Sequence, residues 1–350
     1  MQYNPLGTSG LSVSDVCLGT MTWGIQNVQS EADAQLSMAL EAGINFIDTA
    51  EMYPVPPNES TYGDTERILG NWLARNTDKR SDLVVMTKVV GPGFEYIRNG
   101  DPITPAAIDI ALDDSLKRLH TDYVDVYQLH WPNRPGPHFA KHWPWRTDPT
   151  QVDVKKEKAE MADIVLKLGE KIKEGKIRHW GLSDDTPWGI HTYLSLCDEL
   201  GVPKPVSIQN EFSLLHAKDW PYLIETCAFE DVAYLPWSSL AAGMLTGKYL
   251  DGARPKGSRW TMEQRQGLFR DTKAAQNATK AYILVAEKHG ITPAQLALKW
   301  VQQVSGVTST IIGATNTVQL KEDIDAFVSP TSEELVDDIH DVFKQYPVPF

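Results

Sequence analysis

The sequence is poor in cysteine. Cys17, Cys197 and Cys227 are an odd, widely spaced set without metal-ligand spacing. That excludes a disulfide framework and reads as buried thiols in a reducing cytoplasm, where the protein is expected to reside. Long apolar runs are missing as well: none approaches the ~18 residues of a membrane span. Residues 1–10 have neither a basic start nor an apolar core, so no secretory signal is expected. The triplets Asn58-Glu59-Ser60 and Asn277-Ala278-Thr279 are then chance matches to a glycosylation acceptor. Basic residues are the minority, 33 against 46 acidic, for a net charge of -13. A nucleic-acid or anionic-membrane surface needs clustered Lys and Arg, so neither partner is expected. No G-x-G-x-x-G occurs, because Gly91-Pro92-Gly93 is followed by Tyr96 where the third glycine belongs. A Rossmann site is excluded, and so, with no nucleophile elbow, is a hydrolase built on His130 and a serine.

What the chain does have is 350 residues, 42% of them apolar, enough for one large α/β domain spanning residues 1–350. Eight short apolar runs recur: 16–18, 44–47, 83–86, 123–129, 177–182, 206–208, 232–235 and 310–312. Short continuous runs suit strands buried on both faces of a parallel sheet. Helical patterns fill the gaps. Thr104-Pro105 starts one helix, whose apolar face includes Ile108, Leu112 and Leu119, and Thr292 to Gln295 reads as a capping box for another. The last gap holds two helices, about 272–289 and 292–304, and a capped helix near Thr331 ends the chain. This alternation predicts a (β/α)8 TIM barrel with extra helices. Residues 1–14, with Gly7 and Gly10, are expected to form an N-terminal β-hairpin closing the barrel bottom. Residues 132–154, rich in Pro, Trp, His and Arg, are too irregular for an ordinary connection and predict a loop over the site.

Barrel enzymes gather function just past the C-terminal ends of their strands. Those positions hold Asp48 with Tyr53 beyond it, Lys88, His130, Ser183-Asp184, Gln209-Asn210, Trp237-Ser238 and Gly313-Ala314-Thr315. A carboxylate, a phenol, an amine and an imidazole on one rim make an acid–base cluster. Trp23, Trp131, Trp143 and Trp145 are candidates to line a hydrophobic substrate pocket beside Tyr53 and His130. His138 and His142 are four residues apart but have no third ligand, so no metal site is expected.

Several segments carry a resemblance. Gly43 to Ala50 with Tyr53, Gly63 to Gly70, Val85-Met86-Thr87-Lys88 and Asp125 to His130 resemble, in order, motifs of the aldo-keto reductase family. Lys176 to Ser183, Trp237 to Tyr249 and Ile311 to Asp323 are similar as well. Thr246-Gly247-Lys248-Tyr249 and Gly313-Ala314-Thr315-Asn316 lean toward bacterial reductases and potassium-channel β-subunits. The resemblance implies an NADPH/NADP+-dependent oxidoreductase acting on a small aldehyde or ketone. Tyr53 would be the general acid, Lys88, held charged by Asp48, would lower the phenol's pKa, and His130 would orient the carbonyl. Trp237 would stack on the nicotinamide, with Ser183 and Gln209 on its carboxamide. Lys248 and Arg259 would reach phosphates, Arg259 taking the 2′-phosphate. Thr315, Gln319, Glu322 and Asp323 would hold the adenosine end. Thr20, Ser238, Leu240, Gly243 and Gly313 complete the implied cofactor contacts.

Two positions depart from the family pattern: Asp184 stands where Asn usually follows the carboxamide-binding serine, and Asp323 where Asn is common. An ionised Asp184 would only accept hydrogen bonds and would favour the oxidised, cationic ring; the competing role is capping the helix that begins near Thr186-Pro187. His130 is retained where channel β-subunits often lose it, which favours an active enzyme. The alternative is a nicotinamide-binding, redox-sensing regulatory subunit with slow turnover.

Overall fold

The computed structural model describes residues 1–137, 147–262 and 268–349. The first strands, β1 (Tyr3–Pro5) and β2 (Ser12–Ser14), pair antiparallel as a hairpin. The barrel strands follow: β3 (Val16–Gly19), β4 (Phe46–Asp48), β5 (Val84–Val89), β6 (Val124–Leu129), β7 (Ile177–Ser183), β8 (Ser207–Glu211), β9 (Ala233–Trp237) and β10 (Thr310–Ile312). From β3 to β9 each pairs parallel with the next, β10 pairs parallel with β3, and an isolated bridge between Tyr234 and Val307 marks the β9–β10 seam. At the last seam the Thr308 N–H donates to the Tyr234 carbonyl at 2.9 Å. The helices α1 (Gln29–Glu41), α2 (Asp64–Arg75), α3 (Pro105–Leu119), α4 (Val154–Lys173), α5 (Pro187–Leu200) and α6 (Tyr222–Phe229) lie between successive strands. Two helices, α7 (Lys273–Lys288) and α8 (Pro293–Gln303), separate β9 from β10, and α9 (Thr317–Val328) and α10 (Glu333–Gln345) end the chain. The expected (β/α)8 barrel, hairpin and doubled helix are all present. The strand beginning at Ile44 is shorter than expected, because Ile44 still bonds back to the Ala39 carbonyl of the α1 end.

Alternation along the strands explains where the polar side chains go. Cys17, Phe46, Met86, Val126 and Leu235 form an apolar barrel interior, plugged from the N-terminal end by Leu6 and Val13 of the hairpin. Two residues further along the same inward face come Asp48, Lys88, Gln128 and Trp237. The barrel is thus oily at its base and polar at its C-terminal mouth. Local chemistry sets the helix starts: Thr104, Thr186 and Thr292 each accept a backbone N–H from three residues on, with proline at the first helical position.

Helix α2 lies close against the end of α3. A Cβ on Gly70 would sit 2.0 Å from the Arg118 carbonyl oxygen, a backbone atom that cannot swing away. Gly70→Ala gains about 1 kcal/mol of helix propensity but must overcome that overlap. We expect a net loss of about 1–3 kcal/mol, read as a lower urea midpoint; an unchanged or raised midpoint would contradict the packing described.

Candidate active site

Lys88 is fully buried at the end of β5. Its ammonium donates to Asp48 Oδ1 at 2.6 Å and to the Thr49 carbonyl at 2.7 Å. Its Nζ also lies 4.9 Å from the Tyr53 ring centre. Burial pulls the lysine pKa down, but Asp48 and Tyr53 more than offset it, and the net direction is up. The ammonium therefore stays charged.

Tyr53 lies in the β4–α2 loop, which is pinned by Tyr53 N–H to the Ala50 carbonyl (3.1 Å) and by Gly63 N–H to the Tyr53 carbonyl (2.9 Å). Glu51 of the same loop accepts from the Val90 N–H at 3.0 Å and is paired with Arg98. The phenol's pKa moves opposite to the expectation drawn from Lys88. Burial raises it more than the lysine charge lowers it, and Asp48 and Asp184 push the same way as burial. The physical reason is burial of the phenol, which outweighs the pull of the Lys88 charge, itself partly offset by Asp48. Tyr53 keeps its proton.

His130 follows β6 directly and is held by its N–H to the Val89 carbonyl at 3.0 Å. Its ring meets Tyr53 edge-on at 5.7 Å and Trp131 at 4.8 Å. Burial, then the Lys88 charge, pushes its pKa well below the usual histidine value. The imidazole is neutral, and its Nδ1 has no hydrogen-bond partner among the described residues. Trp131 donates its indole N–H to the Pro92 carbonyl at 3.2 Å. It packs where a Cβ on Gly91 would lie 2.2 Å from Trp131 Nε1.

These groups open into a cavity of about 1200 Å³, above the usual range for a single small ligand. Tyr53, His130, Trp131, Met21, Met52 and Phe94 line one end, Ser183, Asp184, Gln209 and Trp237 the middle, and Thr315, Gln319, Glu322 and Asp323 the other end. Ser238, Leu240, Gly243 and Gly313 also reach it. Gln209 Nε2 donates to Asp48 Oδ1 (2.9 Å) and to Gln128 (3.2 Å), which leaves its carbonyl oxygen available. Helix α9 begins at the far end: Asn316 caps it, and Gln319 Oε1 accepts from the Thr315 N–H at 3.1 Å. Lys248, Lys256 and Arg259 all line the cavity, and none forms an ion pair among the described residues.

Some expected positions fall elsewhere. Trp23 is fully buried and donates its indole N–H to Gln35 at 2.9 Å; it is a core residue, not a wall of the substrate pocket. Thr20 is also fully buried; its hydroxyl donates to the Asp48 carbonyl, and Gly19 takes the wall position. Lys88 acts from beneath the wall. Asp184 does not cap α5, whose cap is Thr186; it faces the cavity. Arg259 is lowered to about 10, by burial and then by Arg270, and its other electrostatic neighbours are Glu211, Tyr53 and Tyr249. Lys248, by contrast, is the cation beside Asp323. His138, His142, Trp143 and Trp145 lie outside the described residues. The 132–154 loop does reach the site, since Pro132 to Gly136 line the cavity and Arg134 is tied to Asp185. The sequence reading missed that tie, together with the buried Glu211–Arg270 pair at the end of β8.

Asp323 yields a stability test. Its carboxyl is raised to about 8 by burial and by Glu322, against the opposing charge of Lys248. Between the unfolded value near 4 and about 8, the native state binds the extra proton, so this group's contribution to stability falls as pH rises through that window. Asp323→Asn removes the penalty. Its melting temperature is expected to exceed wild type by a margin that grows from about pH 5 to pH 8 and then levels off. A margin independent of pH would show that Asp323 does not titrate this way.

Known proteins agree with this architecture. A model of the "Aldo/keto reductase family" matches residues 15–344. "Protein tas" of Escherichia coli (strain K12) is 42% identical over 353 residues, covering 100% of this chain and 99% of the relative. A "Probable voltage-gated potassium channel subunit beta" of Oryza sativa subsp. japonica is 32% identical, covering 99% and 98% of the two chains. An "Aldo-keto reductase" of Babesia bovis is 34% identical over 256 residues, or 70% of this chain and 89% of that one. With eight parallel strands, a hairpin at the barrel base and this match along nearly its whole length, the chain belongs to the aldo/keto reductase family of oxidoreductases.

Proposed function

We propose that the protein is an NADPH-dependent reductase of aldehydes or ketones, with Tyr53 as proton donor. The observation that carries this is a protonated phenol, a charged lysine and a neutral imidazole meeting at one end of the cavity. The rest of the cavity suits a dinucleotide: its volume exceeds a small ligand's, three cations with no ion pair among the described residues flank it, and a helix N-terminus opens onto it. Ser183 and Gln209 would hold the carboxamide, Trp237 would lie against the ring, and Lys248, Lys256 and Arg259 would meet the phosphates. When bound, NADPH supplies the hydride for the carbonyl carbon. Tyr53 gives its proton to the carbonyl oxygen, and Lys88 stabilises the phenolate that remains. His130, being neutral, donates one N–H to orient the carbonyl and does not compete as the acid. The channel-subunit name of the rice relative supports a second reading, a redox-sensing subunit with slow turnover.

Tyr53→Phe removes the proton donor while keeping the ring. Reduction of a reactive aldehyde is expected to fall at least 10²-fold, with cofactor affinity nearly unchanged; wild-type turnover in the variant would remove Tyr53 from the role.

Lys248 and Arg259 are expected to separate in binding. Lys248, beside the Glu322–Asp323 end, is our partner for the 2′-phosphate, while Arg259, among Arg270, Glu211 and Tyr53, is placed for the phosphates common to both cofactors. Lys248→Ala should narrow the NADPH-over-NADH preference about tenfold, the scale of one charge-assisted contact, whereas Arg259→Ala should weaken both alike. Tryptophan quenching titrations decide it: a gap narrowed by Arg259→Ala alone returns the 2′-phosphate to the guanidinium.

A further inference from the structure

Glu51 sits where the acid-bearing loop, the lysine strand and the pocket wall join. It lies in the β4–α2 loop just ahead of Tyr53, and its backbone N–H donates to the Lys88 carbonyl at 3.2 Å. Its side chain is buried, and neither it nor Arg98 lines the cavity. The carboxylate accepts the Val90 N–H at 3.0 Å and both arms of the Arg98 guanidinium, the Nη2 arm at 3.0 Å. The same Nη2 donates to the Val90 carbonyl at 3.3 Å. Arg98 reaches in from the β5–α3 connection. One guanidinium fork thus closes residues 90–98 into a loop and fastens it to the segment that carries Tyr53.

The loop so closed carries the outer wall of the carbonyl end. Phe94 lines the cavity and packs, with Trp131, on a buried apolar cluster that includes Met52, Tyr53 and Ile97. The rings step outward from the acid: His130 to Trp131 at 4.8 Å between centres, then Trp131 to Phe94 at 6.0 Å. A carbonyl held at Tyr53 and His130 sets its first carbons near Trp131, and only a larger group extends to Phe94. Within the loop, the Gly93 N–H donates to the Gly100 carbonyl at 3.1 Å and the Ile97 N–H to the Phe94 carbonyl at 2.9 Å. Those bonds shape the loop but do not attach it to the Tyr53 segment; the Arg98 fork does. Arg98, Asn99 and Gly100 lie in succession at φ +47°, +56° and +72°. Non-glycine residues stay in that region where surrounding contacts over-determine it. The two-armed grip on a buried carboxylate is such a contact.

We propose that Arg98, acting through Glu51, is a positioning residue that holds the Phe94 wall against the acid-bearing loop and so sets the preference for bulky apolar aldehydes over small ones. An aromatic aldehyde gains its apolar contact only if the wall stands at a fixed distance from Tyr53. A short aliphatic aldehyde ends before the wall and gains nothing from it. This rests on the reductase reading above.

Steady-state kinetics with benzaldehyde and propanal test it. The ratio of their kcat/KM values, variant against wild type, cancels the intrinsic reactivity of each aldehyde and any loss of folded protein. Arg98→Lys keeps a cation for Glu51 but loses the fork that also grips Val90. Its benzaldehyde-to-propanal ratio is expected to fall about tenfold, the scale of a lost apolar contact, chiefly through a raised KM for benzaldehyde. Phe94→Ala cuts back the wall and leaves the fork in place, and it should lower the ratio by a similar factor. A pair that only holds the fold together would lower the urea midpoint and both activities in step, with the ratio unchanged. An unchanged ratio in either variant overturns the proposal while leaving the reductase reading intact. Wild type that reduces neither aldehyde would overturn both.

Discussion

Everything at the barrel mouth depends on one buried ion pair, Lys88 with Asp48 at 2.6 Å. Removing two charges from water costs several kcal/mol per ion. The structure meets part of that cost with hydrogen bonds to both groups: the Thr49 carbonyl accepts from the lysine, and Gln209 donates to the carboxylate. Because these partners come from β4, β5, β8 and the β4–α2 loop, the pair also fixes how those elements meet. A barrel closed in another register would leave a charge buried alone.

The pair also sets the chemistry of the groups around it. A bare ammonium beside Tyr53 would favour the phenolate and strip it of its proton. Partly offset by Asp48 and outweighed by burial of the phenol, it leaves the phenol protonated at rest and is still there to receive the phenolate once the proton has gone. The same charge helps to keep His130 neutral. One interaction thus sorts three titratable groups into a donor, a stabiliser and an orienting group. Further along the cavity the charges separate, with the acids Asp184, Glu211 and Asp219 toward β7 and β8, and Lys248 at the α9 end.

Much of this was legible in the sequence because the signals are local. Strands buried on both faces appear as apolar runs, and a polar residue at the end of such a run, as with Asp48, Lys88 and His130, lies on the rim by construction. What stayed hidden depends on distant neighbours. Trp23 near a strand end reads equally as pocket or core until Gln35 is seen to take its indole N–H. Glu211 and Arg270 are 59 residues apart, and Glu51 and Arg98 are 47 apart, with no motif joining them. The upward shifts of Tyr53 and Asp184 are balances of burial against several charges, which residue identity alone does not report.

The central claim is that this barrel transfers a hydride and a proton rather than only sensing the nicotinamide. The direct measurement is a single turnover: one equivalent of NADPH bound to the wild-type protein, mixed with a panel of aldehydes, with cofactor and alcohol both quantified. The account predicts one alcohol formed for each NADPH consumed. NADPH that binds tightly yet persists unoxidised against every aldehyde, with no alcohol formed, would contradict it and favour the regulatory subunit.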